Sequence, residues 1–127
     1  MKTILVDAIH TFVLDEGEIF HPMFELLEKY PNRKILLTGA DDKQVEKWGL
    51  KHMPYEFFTL KHNPEKTDPK YYETMLSYFG FSKDDVVCFE HNPDAVKSAQ
   101  SVGIVTHYYN NDKKDLKSLK NFLGKNL

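Results

Sequence analysis

The sequence is poor in cysteine. Cys88 is the only one, so the chain cannot form an internal disulfide. It lies within the apolar run Val86–Phe89, which favours a small buried residue over a reactive nucleophile. A chain without disulfides fits a reducing compartment, and the apolar run after Lys2 is too short for a signal peptide. We therefore expect a cytoplasmic location.

The sequence also lacks a strong charge of either sign and a long hydrophobic run. Its net charge is −2, which gives no basis for electrostatic capture of nucleic acid or of an anionic membrane surface. No run approaches the ~18 apolar residues of a membrane-spanning helix. The length of 127 residues and the 41% hydrophobic content predict one globular domain spanning residues 1–127.

Short apolar runs alternate with helical patterns along the whole chain. Five runs have the length of buried strands: Thr3–Val6, Lys34–Thr38, Glu56–Leu60, Val86–Phe89 and Ile104–His107. Helical spacing of apolar residues, with capping signals at several ends, predicts helices over 20–30, 41–48, 68–79, 92–102 and 112–122. Such alternation predicts an α/β protein, a Rossmann-like three-layer sandwich with a five-stranded parallel sheet and helices on both faces.

Polar residues follow the carboxyl ends of four predicted strands. Asp7 follows the first strand, Thr38 ends the second, Lys66 lies in the loop after the third, and Glu90 follows the fourth. These strand ends meet at one edge of a parallel sheet, where open α/β sheets bind ligands. An acid, a hydroxyl, a lysine and a second acid are suited to a phosphate and metal site. Taken singly, Asp7 is equally typical of a turn and Thr38 of an ordinary strand residue. The position of Lys66 before Asp68–Pro69 favours a functional role over that of an exposed loop lysine.

Four segments resemble, in order, the motifs of the haloacid-dehalogenase-like (HAD) superfamily, which consists mostly of phosphatases and phosphotransferases. Asp7–Thr11 (D-A-I-H-T) resembles the first motif, D-x-D-G-T, and Ile35–Gly39 resembles the second. Lys66–Pro69 (K-T-D-P) resembles the third and Val86–Gly103 the fourth. The resemblance implies a single HAD-like core domain with strand order 3-2-1-4-5. It also implies the absence of a cap domain, because the intervals between the motifs hold one crossover helix each and little else.

By this resemblance, Asp7 is the nucleophile that forms an aspartyl-phosphate. Thr38 and Lys66 hold the transferred phosphoryl group, and Lys66 also keeps Asp7 ionised. The resemblance implies Mg²⁺ as cofactor, bound by Asp7, the backbone carbonyl of Ile9 and Glu90. Donors and cations of this kind stabilise the charge of phosphoryl transfer, and Mg²⁺ takes oxygen ligands. An open, capless site implies a large phosphorylated substrate or cover from a partner chain, a second copy included.

Several acids of the family pattern are replaced. Ile9 stands where the general acid usually lies, and because general acid–base catalysis is worth roughly 10²–10⁴-fold, a slow enzyme is expected. In the ungapped register His91 and Ala95 take the positions of acids in the fourth motif. A shift by one residue would instead pair Glu90 with Asp94, whose simpler role is to complement the dipole of the following helix.

Three functions remain open. The first is a slow Mg²⁺-dependent phosphatase that acts through Asp7. The second is a catalytically impaired binding or interaction module, indicated by the replaced acids. The third is metal-independent, dehalogenase-like chemistry, since Asp7–Thr11 is similar to the dehalogenase motif D-A-Y-G-T, with His10 in place of glycine as a substitute acid–base or a turn residue. The joint presence of Asp7 and Lys66 favours the phosphatase, and the missing cap disfavours the dehalogenase.

Overall fold

A five-stranded parallel sheet lies at the centre of the computed structural model, which describes residues Met1 to Leu127. In chain order the strands are β1 (Thr3–Asp7), β2 (Val13–Leu14), β3 (Glu18–Ile19), β4 (Lys34–Thr38), β5 (Glu56–Thr59), β6 (Val86–Glu90) and β7 (Val105–Tyr108). The sheet has the order β5-β4-β1-β6-β7, with every pair parallel. This is the order 3-2-1-4-5 among the five predicted strands, so the predicted sheet is confirmed.

The first loop is more structured than predicted. Strands β2 and β3 form a separate antiparallel hairpin between β1 and α1, where a plain loop was expected as far as about Gly17. Each strand is only two residues long, and so short a strand leaves no recognisable alternation in the sequence.

Five α-helices connect the strands or follow them. They are α1 (His21–Leu27), α2 (Asp42–Lys47), α3 (Pro69–Phe79), α4 (Pro93–Ser101) and α5 (Leu116–Asn126). The last was predicted to begin at Asp112, but it begins after Asp115, whose side chain accepts a hydrogen bond from the Ser118 N–H and caps the helix. None of these helices combines the length and the hydrophobicity that crossing a bilayer requires.

The hydrophobic core has two halves, one on each face of the sheet. Ile4 and Val6 of β1 point into the half that contains α1, α2 and α5, whereas Leu5 points into the half that contains α3 and α4. This alternation follows from the two-residue period of a strand. It confirms the three-layer architecture, and it holds β1 rigidly between two packed layers.

The register of the sheet brings three strand ends together. Strand β1 pairs with β4 through Asp7 and Leu37, and with β6 through Val6 and Phe89. Asp7, Thr38 and Glu90 therefore end three adjacent strands at one edge of the sheet. All three residues are buried there.

Candidate active site

Asp7 is almost completely buried, yet both of its carboxylate oxygens are hydrogen-bonded. Its Oδ1 accepts from Lys66 Nζ at 2.8 Å. Its Oδ2 accepts from Thr11 Oγ1 at 2.7 Å and from the backbone N–H of His91 at 3.1 Å. The ring Nδ1 of His91 contacts the same Oδ2. These contacts offset the cost of removing a carboxylate from water.

The charges around Asp7 keep it ionised. Burial alone raises the pKa of this carboxyl group, but the Lys66 ammonium and the contacts from His91 outweigh burial and hold the pKa well below its usual range. The same hydrogen bond to Asp7 raises the pKa of the His91 imidazole, against the opposing effect of burial. The end of β1 therefore carries a buried carboxylate that is charged at neutral pH.

Lys66 also contacts the second acid. Its Nζ lies 2.6 Å from Glu90 Oε1, and the Tyr72 hydroxyl donates to the same oxygen at 3.2 Å. Burial and the charge of Asp7 outweigh the attraction of Lys66, so the pKa of Glu90 is raised to about 8. One ammonium thus pairs with two buried acids.

The loop that carries Lys66 is anchored on both sides. Before it, Lys61 and His62 have positive φ angles of 54° and 65°, which are uncommon for residues other than glycine. The His62 ring contacts Glu65 through Nδ1 and lies 2.5 Å from Gln44 Oε1 through Nε2. After Lys66, α3 begins at Pro69 behind its N-cap residue, Asp68. Lys66 therefore reaches into the cleft from a segment with restricted movement.

A cleft of about 190 Å³ opens above these groups. The structure brings together all five residues predicted for catalysis or metal binding, which line one cleft: Asp7, Ile9, Thr38, Lys66 and Glu90. Thr38 Oγ1 accepts the Ala40 N–H at 3.1 Å, which leaves the hydroxyl hydrogen available to donate. The roles of the five residues stay predictions.

The fourth-motif region follows the ungapped register. His91 and Ala95 both line the cleft, whereas Asp94 is exposed in the first turn of α4 and does not line it. The pairing of Glu90 with Asp94 is therefore not supported by the structure. His10 is at the rim, where its positive φ of 69° and its edge-to-face packing on Trp48 at 5.2 Å fit a turn residue.

Several groups in the cleft or buried beneath it had no role predicted from the sequence. Thr11, which entered only as a motif match, donates directly to Asp7, and its place four residues after the aspartate is the signal that could have identified it. His62 and Glu65 belong to the loop in which only the lysine was predicted to act. Tyr72 gave no such signal, because its spacing within α3 is that of an ordinary core residue.

Three groups at the cleft could hold a cation. One ligand atom each from Asp7, Glu90 and His91 lies within 4.8 Å of the others. The two carboxylates are ligands that Mg²⁺ accepts. The imidazole is a ligand typical of zinc and its neighbours in the periodic table.

Comparison with known proteins identifies the fold. No protein-family model and no curated protein sequence matches the chain. An uncharacterized protein from Corynebacterium glutamicum superposes with a TM-score of 0.67 at 13% identity, over 98% of this chain and 96% of its own. A HAD family enzyme of Bacteroides thetaiotaomicron, crystallised as an aspartate-to-alanine variant with magnesium and inorganic phosphate, superposes with a TM-score of 0.56 at 19% identity.

Coverage differs among these structures. The match to the Bacteroides enzyme covers 69% of this chain and 51% of that one. The UTR4 protein of Saccharomyces cerevisiae superposes with a TM-score of 0.57 at 16% identity, over 73% of this chain and 48% of its own. The chain thus spans about half the length of these two proteins. Strand order and structural similarity lead to the same conclusion: the chain has the HAD-like fold.

Proposed function

We propose that this HAD-like protein is a hydrolase, a slow phosphatase that acts through an aspartyl-phosphate on Asp7. The observation that carries the proposal is the position of Lys66 Nζ, 2.8 Å from Asp7 Oδ1 and 2.6 Å from Glu90 Oε1. A carboxylate nucleophile must be ionised, and the ammonium keeps Asp7 in that form. The magnesium and inorganic phosphate bound to the Bacteroides enzyme of the same fold add support.

The proposed reaction has two steps. An oxygen of Asp7 forms a bond to phosphorus while the bond from phosphorus to the leaving oxygen breaks, and that oxygen takes a proton from water. A water molecule then attacks the phosphorus, which releases inorganic phosphate and restores the Asp7 carboxylate. Lys66 and the Thr38 hydroxyl are placed to stabilise the charge on the equatorial oxygens. Ile9 has no proton to give, so substrates with good leaving groups should react fastest.

The oxygen ligands of the cleft fit a divalent cation. The Asp7 and Glu90 carboxylates would hold it together with the backbone carbonyl of Ile9, as the resemblance implies for Mg²⁺. When bound, such a cation supplies positive charge that offsets the charge on the phosphoryl oxygens. The cleft of about 190 Å³ is smaller than a typical pocket for a whole small molecule, which suits a substrate whose larger part remains outside.

The test is release of phosphate from an aryl phosphate in millimolar Mg²⁺. We expect turnover by the purified chain and its loss in Asp7→Asn, which keeps the shape of the side chain but removes the nucleophile. Asp94→Asn is the matched control, because Asp94 is exposed and outside the cleft, and its turnover should equal that of the unchanged protein. Absence of turnover together with absence of beryllium fluoride binding would refute the proposal.

A second candidate is a catalytically impaired binding module. It is favoured by the crowding of Asp7 Oδ2, which receives the Thr11 hydroxyl and both the backbone N–H and the ring of His91. An oxygen with so many donors is a weak nucleophile. This alternative predicts binding of phosphate without turnover and no uptake of Mg²⁺ at millimolar concentration. Robust hydrolysis of the aryl phosphate would exclude it.

A further inference from the structure

We propose that His91 makes the cleft a site for a borderline transition-metal ion of the Co²⁺ and Zn²⁺ class in preference to Mg²⁺, with His91 Nδ1 as ligand beside the carboxylates of Asp7 and Glu90. The inference deepens the proposed function and rests on it for the presence of a divalent cation. It concerns the identity of that cation, which can be measured without any turnover.

His91 is held in place by two contacts to one oxygen. Its backbone N–H donates to Asp7 Oδ2 at 3.1 Å, and its ring Nδ1 contacts the same atom. The Thr11 hydroxyl, 3.3 Å from Nδ1, adds a further neighbour. The ring follows directly after β6, so both its backbone and its orientation are restricted. Nδ1 therefore lies close enough to Asp7 Oδ2 to share a cation with it, which it would bind after losing the proton that it shares with that oxygen.

The position of Lys66 decides from which side a cation approaches. Its ammonium engages Asp7 Oδ1 and Glu90 Oε1, so that side of the two carboxylates already carries a positive charge. The other oxygen of Asp7 is Oδ2, the atom that His91 Nδ1 contacts. A cation bound to Oδ2 therefore meets the imidazole. Ala95, which lines the same cleft, offers no oxygen in compensation.

Imidazole nitrogen discriminates between cations. Mg²⁺ requires near-octahedral oxygen ligation and gives up its water reluctantly, so a nitrogen ligand contributes little to its binding. Zinc and its neighbours accept imidazole readily. A neutral imidazole in place of a carboxylate also removes one negative charge. This loss weakens the binding of a hard ion such as Mg²⁺, which is held mainly by charge. Both effects shift selectivity away from Mg²⁺.

The first test is calorimetric titration of the full chain with cobalt chloride and with magnesium chloride. Most sites prefer Co²⁺ to Mg²⁺ to some degree, so the decisive quantity is the ratio of the two affinities and its change on substitution. We expect His91→Asp to lower the ratio about tenfold or more, because oxygen replaces nitrogen. His52→Asn is the matched control: it removes an exposed histidine that does not line the cleft, so the ratio should not change.

The second test detects the imidazole directly. In the Co²⁺-loaded chain, the remaining ring N–H of a coordinated histidine gives a strongly shifted proton resonance that disappears in D₂O. We expect this resonance in the unchanged protein and in His52→Asn, and its absence in His91→Asp. Where His91→Asp does not fold, as judged by circular dichroism, His91→Asn replaces it and should lose the resonance and bind Co²⁺ more weakly.

The outcomes separate this inference from the proposed function. Three results would overturn the inference. They are failure to bind Co²⁺, binding of Co²⁺ without the shifted resonance, and an affinity ratio that does not change when His91 is replaced. A chain that binds Co²⁺ through His91 but hydrolyses no aryl phosphate upholds the metal site and refutes the phosphatase. A chain that hydrolyses aryl phosphate, but whose cation selectivity does not depend on residue 91, upholds the phosphatase and refutes the metal site.

Discussion

Lys66 Nζ lies 2.8 Å from Asp7 Oδ1, although the two residues are 59 positions apart in the chain. Lys66 belongs to the loop after β5, and β4 lies between β5 and β1 in the sheet. The loop must therefore pass the end of β4 to deliver the lysine. The Tyr71 hydroxyl on α3 donates to the Thr38 carbonyl at 2.7 Å and fastens the start of that helix to the end of β4. The position of the ammonium thus depends on how α3 packs against the sheet.

Removal of the ammonium should destabilise the protein at neutral pH and make mild acid more stabilising. Lys66→Met leaves two buried acids without a cation, which should lower the free energy of unfolding at neutral pH by about 3 kcal/mol. In the unchanged protein the pKa of Asp7 is depressed, so its contribution to stability is present above its ordinary pKa and is lost as the pH falls. Without Lys66, only the His91 contacts oppose burial, so the pKa of Asp7 rises. Mild acid should then stabilise the variant more than the unchanged protein, in which Glu90 already takes up a proton as the pH falls below about 8.

Urea denaturation at neutral and mildly acidic pH measures both effects. Lys61→Met is the matched control, because Lys61 lies in the same loop but is exposed and paired only with the exposed Asp42. It should change stability little. A Lys66→Met protein as stable as the unchanged chain at neutral pH would show that the ammonium does not compensate Asp7.

Restoring the missing acid should increase turnover of poor substrates. Ile9 lines the cleft, and the resemblance implies that it takes the position of the general acid, so we expect Ile9→Asp to raise the rate with alkyl phosphates by roughly tenfold or more. Aryl phosphates should gain less, because their leaving groups need no proton. Ile9→Asn, similar in shape but without an acidic proton, should give no gain. Equal gains for both variants, or for both substrate types, would contradict the assigned position.

Thr11 should contribute to stability through its hydrogen bond to Asp7. The residue is 1% exposed and its hydroxyl lies 2.7 Å from Asp7 Oδ2. Thr11→Val keeps the shape and removes a hydrogen bond to a charged group, so the free energy of unfolding should fall by about 2 kcal/mol. Thr74→Val, on the exposed side of α3, should leave it nearly unchanged. Equal effects of the two substitutions in urea denaturation would show that the Thr11 hydroxyl contributes nothing.

His107 should make the fold sensitive to mild acid. Its Nε2 is buried without a hydrogen-bond partner, and its ring stacks on Phe122 with centroids 5.0 Å apart. Burial lowers its pKa, with Asp115 opposing. Below the ordinary pKa of about 6.5, the histidine of the unfolded chain takes up a proton, whereas His107 in the folded protein stays neutral to lower pH. The free energy of unfolding therefore decreases as the pH decreases.

Comparison of variants isolates this effect. His107→Phe preserves the stacking on Phe122 and cannot be protonated, so it should lose less stability than the unchanged protein between about pH 7.5 and pH 5.5. His52→Asn, which replaces an exposed histidine, should retain the full dependence. Identical pH profiles for His107→Phe and the unchanged chain would indicate that the His107 ring is freely protonated in the folded state.

The fold was predictable because its signals are local and repeated. The run Lys34–Thr38 forms β4 with the expected bounds, since an apolar stretch before a glycine is typical of a buried strand. The predictions were wrong where the local sequence signal was weak. The helical pattern after Asp112 did not reveal that Asp115 caps α5, and the two-residue strands of the hairpin are too short to carry a pattern.

The sequence sets which polar residue follows each strand, and parallel strands bring their carboxyl ends to one edge of the sheet. The amino-acid sequence by itself therefore determines that Asp7, Thr38, Lys66 and Glu90 meet at one cleft. Which atoms meet there depends on packing. His91 turns its ring onto Asp7 Oδ2, and Glu90 is buried with the ammonium nearby yet has a raised pKa. Charge and ligand geometry at the cleft depend on burial and on distances of a few ångströms, and only the tertiary structure decides those.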